Sequence, residues 1–249
     1  MVEIKSDKQI EKMKHAGTIL AECHKALSKK VTEGITTIEL DQFVDRFLYE
    51  RGATPAQKGY MGYPFATCAS VNNEVCHGLP NRKPLKNGDI VTIDFVVNLN
   101  GWLTDSAWSY GIGTISPEAQ RLMKATKKAL YKGIEQAQVG NRLGDIGNAI
   151  QSYAEKKGYS IVREFIGHGI GRKIHEEPQV HHVGDRNTGG KLKEGMVITI
   201  EPIFNQGTPF IMLGSDGWTA LTFDGSLSAQ YEHTVAITKN GPIILTEQA

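Results

Sequence analysis

At 249 residues, 40% hydrophobic and formal net charge +1, the chain is long enough to bury a sizeable core as one large domain or two intimate halves. Near-neutral charge gives no argument for nucleic-acid specificity or an anionic membrane surface, and no apolar run reaches membrane-spanning length. The polar start MVEIKSDKQI shows no secretory signal. Cys23, Cys68 and Cys76 lack CxxC spacing and point to reduced thiols in a cytoplasmic protein, with one disulfide left open.

In chain order, residues 6–27 read as a helix: Ser6 and Gln9 form a capping box, and Ile10, Met13, Ala16, Leu20, Cys23 and Leu27 recur at helical spacing. Its other face carries Lys8, Lys12, Lys14 and Lys25, either a solvated stripe or a docking surface. A second helix starts at Thr37, with Thr36 and Glu39 as capping box, and runs through Leu40, Phe43, Val44 and Phe47 to a stop at Gly52. GYMGYP at 59–64 reads as a loop whose Tyr60 and Tyr63 either wall a pocket or cap the core. His77 follows in VCHGLP, and taken alone it reads as structural.

Residues 85–105, LKNGDIVTIDFVVNLNGWLTD, alternate as a β-hairpin. With Asn98–Gly101 as a four-residue loop, Val97 faces Trp102 and Asp94 lies directly opposite Asp105. Opposed carboxylates, their Cβ atoms about 4.5–5.5 Å apart, repel. A cation, a shared proton or a different register must relieve that repulsion.

Ser116-Pro117 opens a helix ending near Gly140, and Asp145 to Lys157 forms another, stopped by Gly158. GHGIGRKIH at 167–175 places glycines around His168, leaving it unshielded, and ends on His175. It is no phosphate loop, because GxxxxGK[ST] and a following helix are both missing. LKEGMVITIE at 192–201 then repeats LKNGDIVTID at 85–94, each copy ending in a carboxylate, and His175-Glu-Glu-Pro178 echoes His77-Gly-Leu-Pro80. Residues 1–249 are therefore expected to be one unit with an internal pseudo-repeat, roughly 1–115 and 116–249. Strand-like runs at 208–213 and 218–223 lead to SAQYEHTVAIT, whose alternation sets Glu232 on one face and Tyr231 and His233 on the other. His181, His182 and His233 are assigned to surface or supporting positions, and Trp108 has no assigned place.

Pooled, Asp94, Asp105, His168, Glu201 and Glu232 carry too much negative charge to share a buried pocket unaided. Two divalent cations would balance them, and a carboxylate-rich set with one nitrogen suits Mn, Fe or Co and tolerates Zn. Without the repeat these would read as scattered residues.

TID at 92–94, TD at 104–105, GHGIG at 167–171, TIEP at 199–202 and QYEHT at 230–234, with VCHGLP, IHEEP and DGWT at 216–219, closely resemble the bacterial type I methionine aminopeptidases. The match spans nearly the whole chain, without the type II insertion or an N-terminal zinc-binding extension. The resemblance implies an α+β pita-bread fold: two pseudo-symmetric halves, antiparallel sheet backed by helices, around a dinuclear metal site. It assigns Asp94 to one metal and His168 and Glu201 to the other, with Asp105 and Glu232 bridging. The metals would be two divalent ions among Co, Mn, Fe, Zn and Ni, supplying hydroxide at neutral pH. Glu201 would be the general base, His175 would donate to the oxyanion, and His77 would contact the scissile amide nitrogen. The methionine pocket would be Tyr60, Tyr63, Cys68, His77 and Trp218, with His175 also touching substrate.

The implied function is removal of N-terminal methionine from nascent proteins with a small second residue, by a cytoplasmic monomer in transient contact with the ribosome. One departure stands out: Ile174 precedes His175 where bacterial members commonly carry Phe, so a ring contact with methionine is lost. A proline-specific aminopeptidase of the same fold would keep the ligands but usually adds a large N-terminal domain. A non-catalytic ribosome-binding module would be expected to have lost ligands, and a di-iron oxygenase would set Glu-x-x-His on bundle helices.

Overall fold

The computed structural model describes residues 2–248. The first part of the chain runs α1 (Asp7–Leu27), α2 (Thr37–Tyr49), β1 (Thr54–Pro55), β2 (Cys68–Val71), β3 (Glu74–Cys76), β4 (Ile90–Leu99) and β5 (Trp102–Gly111). Next come α3 (Pro117–Ile134), α4 (Leu143–Lys157), β6 (Ser160–Ile161), β7 (Gly167–Gly169), β8 (Glu176–Val180), β9 (Val197–Ile200) and β10 (Ile203–Asn205). The last strands are β11 (Ile211–Leu213), β12 (Ala220–Thr222), β13 (Ser228–Gln230), β14 (His233–Thr238) and β15 (Gly241–Ile244).

The helices begin where short polar side chains satisfy their free N–H groups. In α1 the Ser6 N–H donates to Gln9 Oε1 at 2.8 Å. In α2 Thr36 and Glu39 exchange bonds, N–H to Oε2 at 2.9 Å and N–H to Oγ1 at 3.3 Å. Ser116 Oγ accepts from the Ala119 N–H at 3.1 Å, with Pro117 in the first turn of α3. α3 stops at Ile134, short of Gly140: tight bonds from Gln136 to Gly133 and from Ala137 to Ile134 close its last turn, and the Gly140 N–H goes to Leu192 O. α4 starts at Leu143, ahead of Asp145, because the Asp145 carboxylate reaches back to accept from the Arg142 N–H at 2.7 Å.

Two antiparallel sheets carry most of the structure. In one, β4 lies between β2 and β5, and the short β1 also pairs with it; the other has the order β15-β14-β9-β7-β8. Leu20, Leu27, Leu40, Val44 and Leu48 of α1 and α2 pack against Val91, Ile93 and Phe95 in one core. Leu122, Leu130, Ile146 and Ile150 of α3 and α4 pack against Ile198, Ile200 and Val235 in another. Helices thus back each sheet, an α+β arrangement. Trp108 lies in the second core, edge-on to Tyr231 with ring centroids 5.0 Å apart.

The β4–β5 turn corrects the expected register. Asn100 and Gly101 have φ of 54° and 76°, so the loop has two residues and Leu99 faces Trp102. That is the Asn-Gly type I′ geometry, which matches strand twist and which a four-residue loop reading overlooks. Asp94 therefore lies opposite Ala107, and Asp105 opposite Val96. The two acids are diagonal neighbours on one sheet face, not direct partners.

β5 also meets β14 and the segment that leads into it from β13, and this seam positions the site. Ser106 Oγ donates to Glu232 O at 2.8 Å, Ser109 Oγ to Gln230 O at 2.9 Å, and the Glu232 N–H to Ala107 O at 2.9 Å. The strand pattern breaks between β13 and β14, leaving Tyr231 and Glu232 in the gap. Tyr231 and His233 both touch Trp108, while Glu232 turns toward the acids of β4 and β5.

Candidate metal centre and adjoining pocket

Each acid is held by its backbone. The Asp105 N–H donates to Thr234 Oγ1 at 2.9 Å, and that hydroxyl donates back to Asp105 O at 2.8 Å. On the β1 side, Gln57 Nε2 donates to Asp94 O at 3.1 Å and Gln57 Oε1 accepts from the Val96 N–H at 2.6 Å. A side-chain amide thus continues the strand ladder past Asp94.

His168 sits in β7 between two glycines whose role is close packing. A Cβ at Gly167 would meet Thr199 O at 2.4 Å, and one at Gly169 would meet Glu177 O at 2.2 Å. The His168 N–H donates to Thr199 Oγ1 at 2.9 Å, and that hydroxyl donates to Glu201 Oε1 at 2.7 Å. His168 Nδ1 lies 2.9 Å from Gly169 O, which assigns the proton to Nδ1 and leaves the Nε2 lone pair facing inward. Nε2 lies 3.7 Å from Glu201 Oε1 and 4.0 Å from Asp105 Oδ2. The Glu201 N–H donates to His182 Nε2 at 3.1 Å. Of the two placements left open for these histidines, His182 and His233 take the buried supporting one and His181 the exposed one.

The electrostatics of this cluster are one-sided. Burial, then mutual repulsion, raises the carboxyls of Asp94, Glu201 and Glu232 well above the usual range. Burial likewise raises Asp105, whose carboxyl is within hydrogen-bonding reach of Asp94. His168 is pushed down to about 4 by burial and by neighbouring His175, so its imidazole is neutral. Asp105 Oδ1 and Glu232 Oε1 are buried without a hydrogen-bond partner among the described residues. Ligand atoms of Asp105, His168 and Glu232 lie within 4.8 Å of one another. Orphaned carboxylate oxygens around a neutral imidazole lone pair fit a divalent cation and not a structural thiolate zinc site.

A cavity of about 240 Å³ is lined by Asp94, Asp105, His168, Glu201 and Glu232, together with His77 and His175. It shares Asp94, Asp105, His77 and His175 with a second cavity of about 170 Å³, walled by Tyr60, Met61, Tyr63, Cys68, Ile174 and Trp218. All the residues expected from the sequence therefore line one or the other of these two adjoining cavities.

Its walls are fixed from behind. The Tyr63 hydroxyl donates to Thr67 O and Gly78 O at 3.0 Å each, and its ring lies edge-on to Trp218 at 5.1 Å. Asp216 accepts from the Trp218 and Thr219 N–H groups, both at 2.9 Å, bracing the DGWT turn. Cys68 faces Asp94 across the ladder, and burial followed by the Asp94 charge raises its thiol, leaving it neutral. All three cysteines are free and buried. His77 adopts φ of 56°, outside the usual range for a non-glycine residue, and rests edge-on against Phe165 at 5.0 Å. The Tyr60 hydroxyl is 3.1 Å from His175 Nδ1, and His175 lies edge-on to His168 at 4.4 Å. Gln57, Met61, Phe165 and Thr234 are not singled out by the sequence; of the supporting side chains, only Thr199 stands in a repeated motif.

The sequence profile of metallopeptidase family M24 matches residues 11–239, and the chain belongs to that family. Within it, the chain is 51% identical over 246 residues to the methionine aminopeptidase of Clostridium perfringens, covering 99% of each. It is 45% identical to methionine aminopeptidase 1 of Bacillus subtilis, again across 99% of both. The crystal structure of methionine aminopeptidase from Rickettsia prowazekii superposes with a TM-score of 0.98 at 46% identity, over 99% of this chain and 100% of that one. The fold is therefore the pita-bread fold. Prolidase from Pyrococcus horikoshii is more distant, with a TM-score of 0.79 at 25% identity, and this chain covers 64% of it. Metallopeptidases of this family use divalent metal.

Proposed function

We propose that this protein is a metal-dependent aminopeptidase that removes N-terminal methionine from polypeptides whose second residue is small. One observation carries the reading: a carboxylate–imidazole centre and a slot walled by tyrosine, tryptophan and a neutral thiol share Asp94, Asp105, His77 and His175. An unbranched thioether fits such a slot, because sulfur and aromatic edges attract. In this reading residues 1–249 form one catalytic unit, its two pseudo-repeat halves meeting at the β5 seam.

Asp94 would hold one cation and His168 with Glu201 a second, with Asp105 and Glu232 shared. When bound, such cations supply Lewis acidity that polarises a carbonyl and makes water nucleophilic at neutral pH. Glu201, aimed by Thr199, takes the proton of the attacking water and returns it to the leaving amine as the C–N bond breaks. A Tyr60 O–H donating to His175 Nδ1 leaves Nε2 carrying the proton, ready to donate to the developing oxyanion. Burial lowers the His175 pKa, so the donor is neutral imidazole. His77, across the shared lining, would contact the scissile amide nitrogen. Ile174 supplies apolar wall from a buried position. Action on nascent chains in the cytoplasm, transient ribosome contact and a monomeric state belong to the same reading.

The test is release of the first residue from Met-Ala-Ser, Leu-Ala-Ser and Ala-Pro-Ser by chelator-treated protein with Mn, Fe or Co restored. Metal-dependent cleavage confined to Met-Ala-Ser supports the reading. Cleavage of Ala-Pro-Ser moves it to the proline-specific relatives, and no cleavage by folded protein removes it.

A further inference from the structure

The turn that delivers His175 is held by charges outside the metal centre. Lys5 is 3% exposed, and its ammonium pairs with Glu176, the residue after His175. The same carboxylate accepts from the Arg172 N–H at 2.8 Å and the Lys173 N–H at 3.1 Å, so three donors converge on it. Burial alone would raise Glu176, but the Lys5 ammonium and the two backbone donors outweigh it and the carboxylate stays charged. Lys5 is itself tied down, its N–H donating to Gly195 O at 2.7 Å.

Further contacts hold the turn from both sides. A Cβ at Gly171 would meet Lys5 Cε at 2.5 Å, so glycine there leaves space for the lysine stem. On the opposite side the Arg172 guanidinium donates to Gly101 O at 2.9 Å and stacks 3.9 Å above Trp102, while the Leu103 N–H donates to Gly171 O at 2.9 Å. The turn is thus clamped between the N-terminal segment and the β4–β5 hairpin tip, and His175 stands at its end over His168.

We propose that the ion pair between buried Lys5 and Glu176 is a positioning device for His175, holding the 171–175 turn at the height from which the imidazole reaches the reacting carbonyl. This rests on the aminopeptidase reading. Neither residue lines the cavity that holds the five ligand side chains; the Glu176 charge is felt at the His168 imidazole, but only behind burial and the neighbouring His175. Removing the lysine leaves a half-buried carboxylate short of one donor and frees the turn to shift. A displacement of about 1 Å in a positioned group can cost about 100-fold in rate.

The experiment compares Lys5→Met, Lys5→Arg and Glu176→Gln in the wild-type and His175→Ala backgrounds, with Mn-loaded protein and Met-Ala-Ser. Lys5→Met is expected to lower kcat at least about 10-fold with KM within about twofold, and Lys5→Arg to recover most of the loss. In His175→Ala protein, Lys5→Met should change kcat by less than about twofold, because the group it positions is gone. Calorimetric Mn affinity should be unchanged. The same fold-loss in both backgrounds, wild-type kcat in Lys5→Met, or weakened Mn binding overturns the proposal. If Lys5→Met fails to fold, the nearly isosteric Glu176→Gln carries the same comparison. Hydrogen exchange supplies a readout independent of turnover: the Leu103, Arg172 and Lys173 amides should lose protection in Lys5→Met, and retained protection overturns the clamp. A wild-type protein that releases no methionine defeats the aminopeptidase reading, while the exchange result still decides whether the pair holds the turn.

Discussion

Asp105 and Thr234 exchange two hydrogen bonds across the seam, each accepting from the other's backbone or hydroxyl donor at 2.8–2.9 Å. This single threonine sets the depth at which the Asp105 carboxylate enters the cavity. Thr234→Val keeps its shape and removes both bonds. Melting should show destabilisation of about 1–3 kcal/mol, and calorimetry should show Mn affinity weakened about 10–100-fold. Unchanged Mn affinity would mean that Asp105 keeps its place without the threonine.

Tyr60→Phe removes the hydroxyl at His175 Nδ1 and leaves the pocket wall in place. With the tautomer no longer fixed, kcat for Met-Ala-Ser should fall about 10-fold with little change in KM, the pattern of a lost transition-state contact. A rise in KM alone would instead assign Tyr60 to binding.

The metal-free protein should lose stability as pH rises from 7 to 8.5. Asp94, Glu201 and Glu232 have folded pKa values raised far above their unfolded ones, by burial first and then by their neighbours. In this window the folded state keeps protons that the unfolded chain has released, so stability falls with pH, by about 1.4 kcal/mol per unit for each such proton. The buried histidines do not reverse this slope: His24, His182 and His233 are pushed down to about 3 by burial and are neutral in both states here. Their contribution is lost below about pH 6.5, where the unfolded imidazoles charge. Mn should flatten the slope between pH 7 and 8.5, measured by urea melts with and without chelator. A slope that stays the same with metal bound would separate the titrating acids from the metal site.

Trp218→Ala opens the slot beside Tyr63 while leaving Asp216 to brace the turn through Thr219. Burial of the methionine side chain should suffer, raising KM for Met-Ala-Ser about 10-fold and narrowing its advantage over Leu-Ala-Ser. Equal losses for both peptides would take Trp218 out of side-chain selection.

What the sequence makes readable is chemistry carried by residue type and repeated spacing. Asp94 and Glu201 end copies of one strand motif, and His168 and Glu232 sit in short runs that alternate around them. What it hides is contact at long range. Gln57 bonds Val96, 39 residues away, and Thr234 bonds Asp105 across 129, so no local period announces either. The hairpin register turned on whether Asn-Gly was the whole loop, and one wrong turn length displaced Asp105 by two residues along the ladder. Gly140 lies beyond the end of α3 at Ile134, because a glycine's positive φ, here 95°, serves a connecting turn as well as a helix stop. The burial of His182 and His233 follows from packing against another segment, where polar imidazoles find partners such as Thr246 Oγ1 at 2.9 Å.

β5 is fastened to the segment that leads from β13 into β14 by the hydroxyls of Ser106 and Ser109 as well as by a backbone bond at Ala107. A continuous ladder shears as a unit, but hydroxyl ties can be cut singly. This joint is therefore adjustable in increments: Ser106→Ala, Ser109→Ala and their combination would loosen it one notch at a time, leaving all five acid and imidazole side chains in the chain.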